Sequence, residues 1–487
     1  MPFDQIQCAD LMEWDGSSDG LQWHKLAASV AALGLKRTNA EAHVGRASSR
    51  EVSICVLPFQ NMSGDAEQEY FSDGISEDIT TDLSKISALE VIARNTAFTF
   101  KGRAVDVSEI ARKLSVTHVL EGSVRKAGNR VRITAQLIDG RSGGHVWAQR
   151  YDRELTDIFA VQDEISESIV AALKLTLLPE EKKAIETRGT TVADAYSLYL
   201  LARQSWISGD FGDRRREEKV IRICRKATEL DPEYAQAWAL MGLAQANLRH
   251  GFMGEEDSDD GRVSAERALR LDPGIAEAYL PIAWHFAEHA CHDQANAQVA
   301  TALRLNPQSW EVNKEAARLF YRQGRLQDAA FHLEKATQVM EADFHGLGML
   351  FAYYHAQGDT DGEERSARRV IRQVEKVLAA DPDNGAALAF GASCLASLGE
   401  LERAKEWIER GLLVDPGNLM MRYNFAWGLN EIFKDPDGAI AMIEPVMASA
   451  GANIIRLAVH DPNIDSLRDE PRFAQMIAAA KERVKLA

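Results

Sequence analysis

The spacing of apolar residues divides the chain into a region of mixed strands and helices and a longer region of helices alone. Val52–Phe59 is a short apolar run closed by a proline, which is typical of a strand buried on both faces. Glu69–Ile86 carries apolar residues at a helical spacing. Leu89–Ala93 and Val105–Leu114 continue as a second strand and a second helix. This part of the chain therefore alternates between strand and helix.

A hairpin follows, formed by Thr117–Lys126 and Arg130–Ile138 around an Ala-Gly-Asn connector. Apolar and polar residues alternate along its second segment, so one face is expected to pack and the other to be solvated. A strand at His145–Tyr151 and a helix over Leu155–Leu177 complete the region. The order β-α-β-α-β-β-β-α predicts one α/β domain with a mixed sheet over residues 51–179. Residues 1–50, before it, show no sustained period and are interpreted as a tail or linker with one short helix.

From about residue 190 the strand pattern is replaced by a repeat. Asp-Pro or Asn-Pro pairs place prolines at 232, 273, 307, 382 and 416, with spacings of 41, 34, 75 and 34 residues. Residues 276–309 and 310–343 align without gaps and match Ala302 with Ala336, a small residue of the kind needed where two helices cross closely. A 34-residue period of paired helices is typical of tetratricopeptide repeats. We expect six to seven such repeats over residues 190–470, with a capping helix over 471–487.

The first region also resembles a known family. The segments VLPFQNMSGDAEQEYFSDGISEDITTDLSKI, VIARNTAFTFKGRAVDVSEIARKLSVTHVLEGSVRKAGNRVRITAQLID and GHVWAQRYDRELTDIFAVQDEI are similar to the TolB-amino-terminal-like domain. In bacteria that domain is found between an output module and a run of tetratricopeptide repeats. The output module is usually a class III adenylate/guanylate cyclase or a winged-helix DNA-binding domain. The resemblance covers residues 51 to 487 and implies a TolB-N-like α/β domain followed by an all-α tetratricopeptide superhelix, the C-terminal regulatory region of such cyclases.

One departure from that family shapes the functional expectation. A class III cyclase domain needs two aspartates to hold the metal ions that neutralise charge at the triphosphate. Residues 1–50 hold no strand-borne aspartate pair. We therefore expect no catalytic residue, cofactor or metal in this chain, and interpret it as a non-enzymatic scaffold and sensor in a signalling system. The alternative is a cyclase-family protein whose catalytic output domain is missing or separately encoded.

Composition narrows the classes of partner. The 487 residues carry a net charge of −17, which argues against sequence-independent binding to nucleic acid. No apolar run approaches the roughly 18 residues of a membrane helix, so a soluble, cytoplasmic protein is expected. The five cysteines are scattered and suggest neither a disulfide framework nor a zinc site.

Several short patterns have both a chemical and a structural interpretation. Gly140–Gly144 matches the G-x-S-x-G string of a nucleophile elbow, but strands are predicted on both sides, which favours a turn. His285, His289 and His292 lie close together, and the first two share a helix face and could bind zinc. No carboxylate stands between them at the general-base position of H-E-x-x-H, which favours partly exposed helix histidines. The acidic loop Glu256–Gly261 resembles a calcium loop but lacks the final glutamate, since Arg267 stands at that place.

Charged residues cluster in two further places. The first helix carries a row of acids opposite its apolar stripe, interpreted as a solvated face: Asp73, Glu77, Asp78 and Asp82. Residues 91–150 have a net charge of +7, from eleven basic and four acidic side chains. That excess suits either docking of an acidic partner or nucleotide, or a hairpin whose charges face solvent.

The repeat register predicts a peptide-binding groove. In this repeat family the second, fifth, ninth and twelfth residues of each first helix face inward. That register places Trp284 in the groove from one repeat, and Lys314, Arg318 and Tyr321 from the next. Two aromatic rings with two cations suit an extended peptide that carries an acidic residue or a free carboxylate. The alternative is that Trp284 packs against its own neighbours and that the cations are solvated.

Overall fold

A computed structural model describes residues 52–103, 106–186, 189–208, 214–250, 259–449 and 451–485. The predictions for residues 1–50, and for half of the loop Glu256–Gly261, lie outside these residues. No helix within the described ranges is long and apolar enough to cross a membrane.

A mixed sheet forms the N-terminal part of the described chain, as predicted. Its strands are β1 (Val52–Val56), β2 (Gln60–Asn61), β3 (Leu89–Val91), β4 (His118–Ala127), β5 (Arg130–Asp139) and β6 (His145–Glu154). Their order is β3-β1-β4-β5-β6, with β2 also alongside β4. Strand β4 is parallel to β1 and antiparallel to β5, and β5 is antiparallel to β6. The alternation along β5 is confirmed, because its apolar residues are buried and Arg130 and Arg132 are exposed.

Five helices accompany the sheet: α1 (Glu69–Ser84), α2 (Arg94–Phe98), α3 (Val107–Leu114), α4 (Ile158–Ala172) and α5 (Pro179–Glu186). The short helices α2 and α5 were not predicted from the pattern. The helix predicted over Leu155–Leu177 is shorter, because Lys174 adopts a left-handed conformation with φ of 55°. A 3-10 turn over Leu155–Asp157 replaces its first residues.

Sixteen further helices follow in the described residues, and most pack beside the next one along the chain. We call these helices the helical array. They are α6 (Ala193–Ser208), α7 (Arg214–Leu230), α8 (Ala235–His250), α9 (Arg262–Leu271), α10 (Tyr279–Glu288), α11 (His292–Leu305), α12 (Trp310–Arg322), α13 (Leu326–Val339), α14 (Phe344–Gln357), α15 (Thr360–Ala380), α16 (Gly385–Ser397), α17 (Leu401–Val414), α18 (Leu419–Glu431), α19 (Pro436–Ser449), α20 (Ala452–His460) and α21 (Pro471–Val484). The prediction of paired helices throughout this region is confirmed.

The repeated small residues are fully buried. Ala302 and Ala336 are both 0% exposed and lie in the same apolar core, as expected of residues at helix–helix contacts. Gly324 and Gly399 end their helices with φ of 72° and 84°, a backbone conformation that glycine adopts without steric cost.

The structure also locates the extra residues in the 75-residue spacing. Helix α15 has 21 residues, whereas the corresponding helices α13 and α17 have 14 each. The seven additional residues therefore lengthen one helix by about two turns rather than forming a loop. A pattern based on proline spacing cannot distinguish these two outcomes.

Candidate functional site on the inner face of the helical array

The first helix of each consecutive pair contributes to one face, which we call the inner face. These inner helices are α6, α8, α10, α12, α14, α16, α18 and α20. Side chains from inner helices that are not neighbours in sequence meet on this face. All four residues predicted to form the groove belong to inner helices.

Trp284 lies at the centre of a polar cluster and is only 1% exposed. Its indole Nε1 donates a hydrogen bond to Glu315 Oε2 at 2.9 Å. The guanidinium groups of Arg318 and Arg322 lie 4.9 and 4.7 Å from its ring centroid. The imidazole of His250 stacks on it at 5.4 Å. We call these five residues the Trp284 cluster.

Arg318 is held in this cluster by helices α8 and α12. Its guanidinium donates to both carboxylate oxygens of Glu315, at 2.9 and 2.6 Å, and to Asn247 Oδ1 at 2.9 Å. Its charge is therefore compensated within the chain. Only about a tenth of its side chain is exposed.

Arg322 is a member of the cluster that the repeat register did not identify. It donates to the backbone oxygen of His250 at 2.9 Å, and within the described residues no carboxylate lies at ion-pair distance from it. Part of the Arg322 side chain is exposed to solvent, and protein atoms lie around the rest of it. This partial desolvation, together with the nearby Arg318 charge, lowers its pKa to about 10. Arg322 therefore remains cationic at neutral pH and accessible from outside.

His250 is neutral under the same conditions. Burial lowers its pKa to about 3, because the charged imidazolium would lose its hydration. The Trp284 ring is therefore in contact with one neutral ring, that of His250, and with two cations, Arg318 and Arg322. This arrangement favours cation–π attraction between the guanidinium groups and the indole.

Lys314 belongs to a separate cluster. Its ammonium group is 1% exposed and lies 2.6 Å from Asp343 Oδ2. Burial by itself would raise the pKa of Asp343, but the charge of Lys314 and the hydrogen bonds that Asp343 accepts together outweigh burial, and the net pKa is lowered. Asp343 also accepts the Trp310 indole N–H at 3.0 Å and caps helix α14 through the Gly346 N–H. A partner can contact Lys314 only if this pairing opens.

Tyr321 forms the third contact group. Its ring stacks on Tyr353 with centroids 4.2 Å apart. Its hydroxyl donates to Asp461 Oδ1 at 2.9 Å. The structure therefore brings Trp284 and Arg318 together, while Lys314 and Tyr321 lie on the same helix in different surroundings.

Ion pairs also join the inner face to a helix of the sheet region. Arg203 on α6 pairs with Glu311 on α12, and it lies 3.6 Å from Glu77 on α1. A cavity of about 510 Å³ lies beside this pair, between α1, α2, α6 and the turn before α14. The cations in its wall are already paired, Arg94 with Glu77 and Lys101 with Asp73. The cations Arg94, Lys101 and Arg203 that line this cavity are thus each paired with a carboxylate of the chain.

The acidic row on helix α1 differs from the prediction of a solvated face. Asp82 is 2% exposed. Asp78 accepts hydrogen bonds from Tyr196 on α6 and from Gln162 on α4. Enclosure by three helices raises the pKa of Asp78 to about 6, although both hydrogen bonds favour its charged form. The helical wheel missed this because α1 packs on the helical array as well as on the sheet.

The shorter patterns have structural explanations. Ser142 lies in the turn between β5 and β6, and its hydroxyl donates to Asp139 Oδ1 at 2.8 Å, which confirms the turn. His285 Nδ1 contacts Asp260 Oδ2 at 2.7 Å, and His289 Nδ1 contacts the His285 carbonyl at 2.8 Å. No group of three or more metal-binding side chains occurs in the described ranges.

The basic excess of residues 91–150 is partly neutralised by acids outside that segment. Arg130 and Arg132 both pair with Asp152, at 2.8 and 2.5 Å. Arg94 pairs with Glu77, and Lys101 with Glu69 and Asp73, all from helix α1. Counting charge within a segment overestimates the local potential when partners come from other elements.

One curated protein is similar in sequence to part of this chain. No family model matches the chain. Putative adenylate cyclase 3 of Rhizobium meliloti (strain 1021) is 50% identical over 191 residues, which are 39% of this chain and 32% of that protein. The chain thus spans about a third of the length of this curated relative.

Similarity to solved structures is weak. A human IFIT1 dimer with m7Gppp-AAAA aligns over 67% of this chain and 70% of that chain, with 17% identity and a TM-score of 0.41. Pseudomonas aeruginosa PilF aligns over 47% of this chain and 99% of that chain, with 16% identity and a TM-score of 0.31. Scores of this size do not establish a common fold.

Proposed function

We propose that this chain is a non-enzymatic interaction and regulatory scaffold, in which a TolB-N-like sheet domain is followed by tetratricopeptide-type repeats that bind a protein or peptide partner. The Trp284 cluster is the observation that carries this proposal. It joins three inner helices and presents Arg322, an accessible cation stacked on an aromatic ring. Buried aromatic residues next to arginine are the usual centres of binding energy at interfaces.

The chemistry of the cluster selects the partner. Arg318 and Arg322 both contact the Trp284 ring, and Glu315 offsets one of the two charges. A guanidinium group binds a carboxylate through two parallel hydrogen bonds. The expected ligand is therefore an extended peptide that carries an acidic side chain or a free carboxylate, with Trp284 and Lys314 as buried support and Arg318, Arg322 and Tyr321 nearer to the peptide.

A binding experiment with matched variants tests this function. A partner is first captured from native lysate, purified and titrated against the parent chain. Arg322→Ala is expected to weaken binding at least tenfold, whereas Arg368→Ala, on the outer helix α15, should leave it unchanged. Equal affinity for the parent and Arg322→Ala would exclude this cluster as the site, and the basic hairpin region would be the next surface to examine.

A second candidate function is suggested by the Rhizobium meliloti relative. The identity of 50% over 191 residues favours a role in an adenylate cyclase system, as a regulatory segment for a cyclase or other output module. In that case we still expect no catalysis by this chain. Cyclic nucleotide formed from ATP or GTP above a blank, with Mg²⁺ or Mn²⁺ present, would contradict the non-enzymatic assignment.

A further inference from the structure

The inner face already holds one acidic segment, which belongs to the chain itself. Residues Pro462–Asp469 form a 3-10 segment between α20 and α21, and they pack against the inner helices α14 and α18. The carboxylate of Asp461, directly before this segment, is 7% exposed. The segment therefore lies beside Tyr321, one of the residues that the proposed function places near the peptide.

Two tyrosines bind the two oxygens of this carboxylate. Tyr321 on α12 donates its hydroxyl to Asp461 Oδ1 at 2.9 Å, and Tyr423 on α18 donates to Oδ2 at 2.8 Å. Arg468 donates to the backbone oxygen of Asp461 at 2.8 Å and so closes the turn. One carboxylate thereby joins helices that are about one hundred residues apart in the chain.

Two aliphatic residues after Asp461, at intervals of three, are also buried. Ile464 and Leu467 are both 0% exposed, in the same apolar core as Phe351 on α14 and Phe425 on α18. Between and after them, Ser466 and Asp469 are exposed. The segment thus presents an acid and two aliphatic side chains at intervals of three residues, and all three face the array.

We propose that this inner face recognises an acidic residue followed by aliphatic residues at the third and sixth positions, and that residues 461–467 occupy the site in cis until a partner segment of that pattern competes for it. The inference rests on the proposed function for the existence of a partner. It extends that function by defining the recognised chemistry and an internal competitor. Competition is expected because a carboxylate from either source would accept hydrogen bonds from the same two tyrosine hydroxyls.

The cis contact is tested without any partner, by hydrogen–deuterium exchange on the full chain. Asp461→Asn retains the shape of the side chain but removes the charge, so the backbone amides of residue 461 and of residues 463–467 should exchange at least tenfold faster than in the parent. The matched control is Asp469→Asn, an exposed acid in the same segment, which should exchange like the parent. If Asp461→Asn does not fold, the double variant Tyr321→Phe with Tyr423→Phe should show the same acceleration. Unchanged protection in the variant that folds would overturn the inference.

The recognition pattern is tested with a labelled peptide of residues 459–470 added in trans. Fluorescence anisotropy should show at least tenfold tighter binding to Asp461→Asn than to the parent or to Asp469→Asn, because an uncharged side chain in cis competes less well for the two tyrosine hydroxyls. The same peptide with asparagine at position 461 should not bind, and adding Tyr321→Phe and Tyr423→Phe to the Asp461→Asn chain should abolish binding. Equal binding of the two peptides, or no binding to Asp461→Asn, would overturn the pattern. If both tests succeed but Arg322→Ala binds a captured partner as tightly as the parent, the Trp284 cluster is excluded as the site of the proposed function while the inference about residues 461–467 stands.

Discussion

The sheet region and the helical array differ in where their paired charged side chains lie. In the sheet region the core is apolar, with Ile54 and Ile133 fully buried, and ion pairs such as that between Glu167 and Lys182 lie half-exposed at the surface. Its enclosed carboxylates, Asp78 and Asp82, lie on α1, the helix that also packs on the helical array. In the array, charges lie inside. The Lys314 ammonium and the Asp343 carboxylate are 1% and 7% exposed as side chains. The array is therefore held together partly by interactions whose strength depends on every partner being present.

The largest expected effect comes from breaking a buried pair. Asp343→Ala removes the carboxylate that lies 2.6 Å from the buried Lys314 ammonium and also removes the cap of α14, so it should lower the free energy of unfolding by about 3–5 kcal/mol. Glu167→Ala, which removes an exposed partner of Lys182 in the sheet region, should cost less than about 1 kcal/mol. Urea denaturation of both variants measures the difference. Similar costs for the two would mean that the two regions bury charge in the same way.

Overpacking tests the crossings between helices. Ala336→Leu inserts a larger side chain at a site that is 0% exposed, and we expect a loss of about 1–3 kcal/mol in unfolding free energy. Ala302→Leu should behave alike. The comparison variant is Ala148→Leu on the exposed strand β6, which should change stability by about 0.5 kcal/mol or less. An unchanged melting temperature for Ala336→Leu would show that the repeat register is misplaced.

Acid should weaken the array through its buried histidines. Burial lowers the pKa of His250 and of His345 to about 3, below the ordinary value of 6.5, so below pH 6.5 the unfolded chain binds protons that the folded chain does not. Stability therefore falls as the pH falls from 6.5 towards 3, by about 1.4 kcal/mol for each histidine at pH 5.5. Unfolding curves of the parent and His250→Asn at pH 7.5 and 5.5 measure this. The variant should lose less stability on acidification, and an equal loss would contradict a neutral His250.

The smallest effect is expected outside both regions. Residues 1–45 supply no periodic apolar face, so a chain that starts near Arg46 should melt at the same temperature as the full chain. Calorimetry of the two chains measures both melting temperatures. A decrease of many degrees would show that the tail contributes to one of the cores.

Several features followed from the sequence because they depend on local periodicity. The strands of the hairpin, the apolar stripe of α1, the paired helices and the burial of Ala302 and Ala336 were all predictable from spacing. The positions of Trp284 and Arg318 on inner helices also followed from the repeat register. Each of these inferences needs only the rise and turn of one element and the size of one side chain.

Other features depended on tertiary structure, because they join residues that are distant in the chain. Nothing near Asp461 indicates that Tyr321 and Tyr423 will bind its carboxylate, and nothing near Asp78 indicates that α4 and α6 will enclose it. Arg322 falls outside the register that identified Arg318, yet both guanidinium groups contact the same ring. Sequence spacing determines which face of a helix a residue occupies. Which elements pack against that face, and therefore which charges are paired, desolvated or accessible, is decided only when the whole array folds.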